Sequence, residues 1–214
     1  MEKILIFGDS YSTYEKYIPD GYPFYYCLDG RAESPSVTKM KVEETWWARV
    51  LKKINGELVQ NNSWSGSTIG YTGYNDTDCS TSSSFIYRYK KLKAEGFFEK
   101  NPVDKIFVFG GTNDSWSNAP LGEMQFSNWD EKDLYKVLPA ICYFVGTLKR
   151  DFADAEIVII INTDIKEEIQ TCLEETAKYY GVKFVKLNGI DKECGHPSIQ
   201  GMAQISEQIL RIYE

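Results

Sequence analysis

Short apolar runs alternate along the chain with stretches whose apolar positions recur every three or four residues. The runs cover residues 3–7, 57–61, 105–109, 156–161 and 183–187. They lack a strict in–out alternation, which is the pattern of strands covered on both faces, as in a parallel sheet. Between them the spacing predicts helices over 43–54, 83–95, 130–151 and 164–180, and from Ser198 onward. Asn55-Gly56 and Gly181 supply stop signals. Pro139 is expected to kink or break the third helix. The last helix lines up Ile199, Met202, Ile205, Ile209 and Ile212 on one face. Arg88, Lys90, Lys91 and Lys93 read as a solvated face of the second.

Five strands alternating with helices predict an α/β fold: a three-layer α/β/α sandwich around a parallel five-stranded sheet. Right-handed crossovers place helices on both of its faces. No repeat or linker interrupts the pattern, so residues 1–214 read as one domain. In such sheets ligands bind beyond the carboxyl ends of the strands. Those ends are where the chemistry is sought.

Composition narrows the partners. The net charge of −7 argues against nucleic acid and anionic membrane, both of which need clustered Lys and Arg. No run of about 18 apolar residues spans a bilayer. Met1-Glu2-Lys3 leads directly into the first strand without a signal-peptide pattern, so a cytoplasmic location is expected. The cysteines are Cys27, Cys79, Cys142, Cys172 and Cys194, odd in number and without a CxxC pair. They read as reduced, mostly packed thiols. With only one histidine in the chain there is no ligand cluster, and neither a metal nor another cofactor is expected.

Four loops stand out at strand ends. Ser10 follows strand one in Gly8-Asp9-Ser10, as a nucleophile or as a helix N-cap. After strand two, Ser65-Gly66-Ser67-Thr68 offers a backbone N–H at Gly66, or a plain turn. After strand three, Gly111-Thr112-Asn113-Asp114 offers the Asn113 amide, or an Asn-Asp turn. After strand five comes His196, the sole imidazole and so the sole candidate base of that kind. Each has a bland reading alone. Together they supply what acyl transfer requires: a nucleophile, a base and oxyanion donors.

In these blocks the chain resembles the SGNH/GDSL hydrolase superfamily. The resemblance runs from Gly8-Asp9-Ser10 to His196-Pro197, nearly the whole chain, with the four blocks in family order. It implies a flavodoxin-like sandwich and an esterase or lipase-like activity. It makes Ser10 the nucleophile and His196 the base. The backbone N–H groups of Ser10 and Gly66 and the side-chain amide of Asn113 become the oxyanion hole. One departure matters. The family's last block usually reads Asp-x-x-His, whereas Glu193 lies three residues before His196 and Asp191 five before. Asp191 is slightly preferred as the acid, Glu193 is the alternative, and a dyad oriented by a backbone carbonyl is the third option.

The segment 11–42 reads as an aromatic-rich insertion, fixed wall or moving lid, and Trp64 and Trp116 are the rings best placed to line the cleft. Tyr and Trp combine apolar bodies with polar tips, which suits sugars. A small acyl ester is therefore the expected substrate, such as an acetyl group on a carbohydrate. A lipase or thioesterase, or an inactive binding module, is the alternative. The oligomeric state is left open.

Overall fold

In the computed structural model, which describes residues 1–29 and 39–214, the five predicted strands form one parallel sheet. They are β1 (Glu2–Gly8), β2 (Gly56–Ser63), β3 (Lys105–Phe109), β4 (Glu156–Ile161) and β5 (Lys183–Lys186), in the order β2-β1-β3-β4-β5. This is the flavodoxin-like order. The chain direction reverses beside β1, and the crevice between the ends of β1 and β3 is the place where ligands bind in such sheets.

The strands are apolar on both faces because both are covered. Leu5, Phe7, Ile106, Val108, Ile157 and Ile159 point into one core with α2 (Phe85–Ala94), α5 (Val137–Asp151) and α6 (Glu167–Tyr180). Their alternates Ile4, Ile6, Phe107, Phe109, Val158 and Ile160 point into a second core with α1 (Trp46–Ile54) and α7 (Ile199–Leu210). Two short helices complete the set, α3 (Phe97–Lys100) and α4 (Thr112–Trp116), numbered in chain order.

Four expectations change. The long helix over 130–151 is a 3-10 turn, Glu131–Tyr135, followed by α5. Pro139 lies in the first turn of α5, where no intrahelical donor is needed, so it neither kinks nor breaks the helix. Arg88 is not on a solvated face: it is fully buried, while Lys90, Lys91 and Lys93 of the same helix are exposed. The connection after β5 is not a plain loop. It holds a two-stranded antiparallel ribbon, β6 (Lys192–Glu193) and β7 (His196–Pro197).

Of the aromatic segment expected at 11–42, residues 30–38 lie outside the described residues. In the remainder Tyr11, Tyr14, Tyr25 and Tyr26 are buried and pack in the second core. Cys27, Cys79, Cys142 and Cys172 are buried free thiols and Cys194 is exposed. Among the described residues no helix is long and apolar enough to cross a membrane.

Candidate active site

The nucleophile candidate sits where β1 ends. Gly8 closes the strand because a Cβ there would lie 2.5 Å from Ser12 Cβ and from Ser63 Oγ. The chain then turns tightly. Asp9 O accepts from Ser12 N–H and Asp9 Oδ1 from Tyr11 N–H, both at 3.0 Å. No helix starts here, so Ser10 is not an N-cap. Its hydroxyl instead meets His196, with 2.9 Å between Oγ and Nε2.

The histidine arrives on the ribbon. Cys194 and Gly195 link β6 to β7 with φ of +49° and +78°. Positive φ at both central positions is the mark of a type I′ hairpin turn, which glycine adopts without strain. Within the ribbon Glu193 pairs opposite His196. The ring's Nδ1 lies 3.2 Å from the Cys194 carbonyl oxygen. A carbonyl only accepts, so this contact places the proton on Nδ1 and leaves the Nε2 lone pair for the Ser10 hydroxyl. Burial pushes the imidazole pKa below its ordinary value, Lys192 adds to this, and the Cys194 carbonyl opposes it. The ring is therefore neutral at pH 7, as a general base must be.

The preferred acid, Asp191, is committed elsewhere. Its Oδ2 accepts the Ser198 hydroxyl and its carbonyl accepts Ser198 N–H at 3.1 Å. Ser198 in turn caps α7 through Gly201 N–H. Asp191 thus fastens the start of α7, and the group on Nδ1 is a backbone carbonyl, the third of the options the sequence left open.

The opposite side of the cleft is built from β2 and β3. Trp64 N–H donates to the Gly8 carbonyl at 3.1 Å, which sets the loop carrying Gly66 beside Ser10. Asn113 lies in α4. Its Nδ2 donates to the Ser67 carbonyl at 3.0 Å and its Oδ1 accepts from the Tyr74 hydroxyl at 2.8 Å. These bonds fix which end of the amide is nitrogen and leave one N–H over. Asp114 accepts from the backbone N–H groups of Ile69 and Gly70, anchoring α4 to the Gly66 loop. Burial pushes the Asp9 carboxyl up to about 7, against the Tyr11 N–H. Burial likewise pushes Asp114 up to about 6, against its two amide donors.

Beneath this side lies Arg88. Its Nη2 donates to the Gly8 carbonyl at 3.1 Å and to Ser67 Oγ at 3.0 Å. Its Nη1 donates to Asn62 Oδ1 at 2.9 Å and to the Asn62 carbonyl, and its Nε to the Ser83 carbonyl at 2.8 Å. One guanidinium ties together the ends of β1 and β2 and the loop that holds Asn113. A planar fork of five donors is suited to this, and it stays charged under nearly any surroundings.

Trp116 is exposed beside the base, its ring edge-on to His196 at 5.9 Å. Trp64 is half-buried against Tyr22, with centroids 4.4 Å apart. A separate hollow of about 280 Å³ between Tyr89, Lys93, Phe98, Asp151 and Phe152 lies by the C-terminal ends of α2 and α5, away from this chemistry. Sequence reasoning missed the roles of Arg88, Tyr74 and Tyr25, and left open which backbone carbonyl its third option meant, the one at Cys194. Only the last carried a local signal, an X-Gly pair between two short extended stretches.

Sheet order and strand-end polar groups define the class, a hydrolase on a flavodoxin-like frame. The chain belongs to the GDSL-like lipase/acylhydrolase family, whose model matches residues 2–213. Solved structures agree. One described as a GDSL-like lipase from Bacteroides ovatus is 39% identical with a TM-score of 0.90, over 100% of this chain and 98% of that one. Another, from Bacteroides uniformis, is 40% identical with a TM-score of 0.89, over 99% and 95%. A family two carbohydrate esterase from Clostridium thermocellum, solved with cellohexaose, shares the fold at 18% identity and a TM-score of 0.66, over 99% of this chain and 63% of that one. A search of curated proteins gave no match.

Proposed function

We propose that the protein is a serine esterase that removes a small acyl group, such as acetyl, from a carbohydrate hydroxyl. The observation that carries this is the 2.9 Å contact between Ser10 Oγ and His196 Nε2 at the switch point of the sheet. In this reading Nε2 takes the hydroxyl proton as Oγ attacks the ester carbonyl. The resulting oxyanion is held by the N–H groups of Ser10 and Gly66 and the Asn113 amide. His196 then gives its proton to the departing alcohol, leaving an acyl group on Ser10. A water, deprotonated by the same nitrogen, releases the acid.

The sugar half of the proposal is supported by the exposed Trp116 and Tyr74 rings on either side of the cleft, and by the carbohydrate esterases that share the fold. No step calls for a metal or another cofactor, because each proton has a donor and an acceptor among these residues. The test is hydrolysis of p-nitrophenyl acetate and of acetylated oligosaccharides by the wild type and Ser10→Ala. Activity confined to the wild type is expected, falling as the acyl chain lengthens. Equal rates for the two proteins would sink the mechanism. An optimum at long chains would replace the substrate class with a lipase or thioesterase. Failure of a fluorophosphonate to label Ser10 would point to a binding module.

A further inference from the structure

The base sits on a short surface ribbon, next to exposed Cys194 and Gly195. On its far side the ring's Nδ1–H donates to a carbonyl two residues back in the same turn. That bond travels with the turn and cannot alone fix the ring relative to Ser10. Three tyrosines from the segment after β1 hold the ribbon. The Tyr11 hydroxyl donates to the Gly195 carbonyl at 2.6 Å. The Tyr26 hydroxyl donates to the Pro197 carbonyl at 2.7 Å. These are the residues immediately before and after His196. Between them the Tyr25 ring lies flat on the imidazole, with centroids 3.6 Å apart and planes 7° from parallel. Tyr25 is itself tied to the nucleophile. Its N–H donates to Thr13 Oγ1 at 2.9 Å, and that hydroxyl donates to the Ser10 carbonyl at 3.0 Å.

We propose that Tyr25 is the positioning residue for the base, its ring face doing in this chain what a carboxylate does in a Ser-His-Asp triad. This rests on the reading of His196 as the base. The two restraints are complementary. The stack fixes the plane of the imidazole, and the Cys194 carbonyl selects which edge carries the proton. With the Tyr11 and Tyr26 hydroxyls pinning the chain on either side, the ring is held in place and orientation by groups other than Asp191. A carboxylate would also add a charge that stabilises the imidazolium, whereas the tyrosine face offers its quadrupole. The device is therefore mainly geometric, and a loosened ring costs turnover more than binding.

The single histidine makes the test direct, since its imidazole ¹⁵N shifts are unambiguous. Wild type, Tyr25→Leu and Tyr25→Phe are compared by ¹⁵N NMR and by kcat and KM on p-nitrophenyl acetate. The wild type is expected to show the Nδ1–H tautomer. Y25L is expected to show averaged tautomers and a kcat lower by about 10- to 100-fold, with KM within about twofold. Y25F, which keeps the ring face, is expected to restore both. Wild-type tautomer and kcat in Y25L overturn the proposal, and so does a loss in Y25F as large as in Y25L. If Y25L does not fold, Tyr25→Met, which fills much of the same space without a flat ring face, takes its place. Averaged tautomers are expected there, and a wild-type spectrum overturns the proposal. The NMR readout needs no turnover, so an inactive wild type would refute the esterase reading while leaving the clamp decided.

Discussion

The two sides of the cleft are held by different physics. The side that carries Gly66 and Asn113 is a buried polar lattice on the ends of β1, β2 and β3. Arg88, Asp114 and Asn113 are fully or almost fully buried there and bonded to backbone groups of neighbouring segments. The side that carries His196 is a four-residue ribbon at the surface, held by aromatic faces, two tyrosine hydroxyls and its own turn. A lattice of desolvated hydrogen bonds is rigid because any break leaves a buried group unpaired. Stacked rings and a short ribbon tolerate displacement. Donors preorganised for a developing charge lose their value if they reorganise. A base that must give and take a proton within one cycle can sit on the softer side.

That contrast breaks most severely at Arg88. Arg88→Met removes a buried donor set, and a loss of about 3–5 kcal/mol of stability is expected in urea unfolding. Lys91→Met on the same helix should be nearly silent, because its exposed ion pair with Glu95 is worth about 0–1 kcal/mol. Next is Asn113→Ala, which removes the proposed oxyanion donor together with its bonds to Ser67 and Tyr74. A loss of about 10²–10³ in kcat is expected in ester hydrolysis. A much smaller loss would show that this side of the cleft does not stabilise the oxyanion.

The softer side is read by pH. Burial holds His196 below its ordinary pKa, so kcat/KM should rise with pH on a limb whose midpoint lies below about 6.5 and stay flat through neutrality. The sign for stability follows. The folded state binds its proton less readily than the unfolded one, so the contribution is present above the unfolded pKa and is lost as pH falls from there through the folded one. A midpoint above the ordinary value in the pH–rate profile would contradict the buried, neutral base. The smallest effects belong to the carboxylates. Asp191→Asn should cost about 1 kcal/mol through the weakened Ser198 cap, with kcat changed less than about threefold. Glu193→Gln should likewise leave kcat nearly unchanged. A fall of about 10⁴-fold in either would restore that residue as the acid of a triad.

What could be read from the sequence divides along the same line. The parallel sheet announced itself through runs such as 105–109 and 156–161, which are apolar on both faces because helices cover both. Ser10, Gly66, Asn113 and His196 were visible because strand ends are where such sheets bind ligands. Arg88 was misread because a cation amid lysines looks solvated. Its burial depends on carbonyls from Gly8 and Asn62 that are distant in sequence. The orienting groups could not be singled out for a related reason. A backbone carbonyl has no residue type, and the flat contact of Tyr25 with His196 joins segments about as far apart as the chain allows. The preference for Asp191 followed its side-chain type and its place directly after strand five, although Glu193 had the family spacing. The competing demand, fastening α7, is set by Ser198 and Gly201 and becomes visible only in three dimensions.

The separation of Ser10 from His196 has a consequence in time. The two residues lie 186 positions apart. On a ribosome the hydroxyl is made before its base, and at about 5–20 residues per second the interval is roughly 10–40 s. Throughout that interval the nascent chain carries a serine with no imidazole to activate it. Any turnover therefore waits until the ribbon that carries the imidazole has emerged and docked beside Ser10.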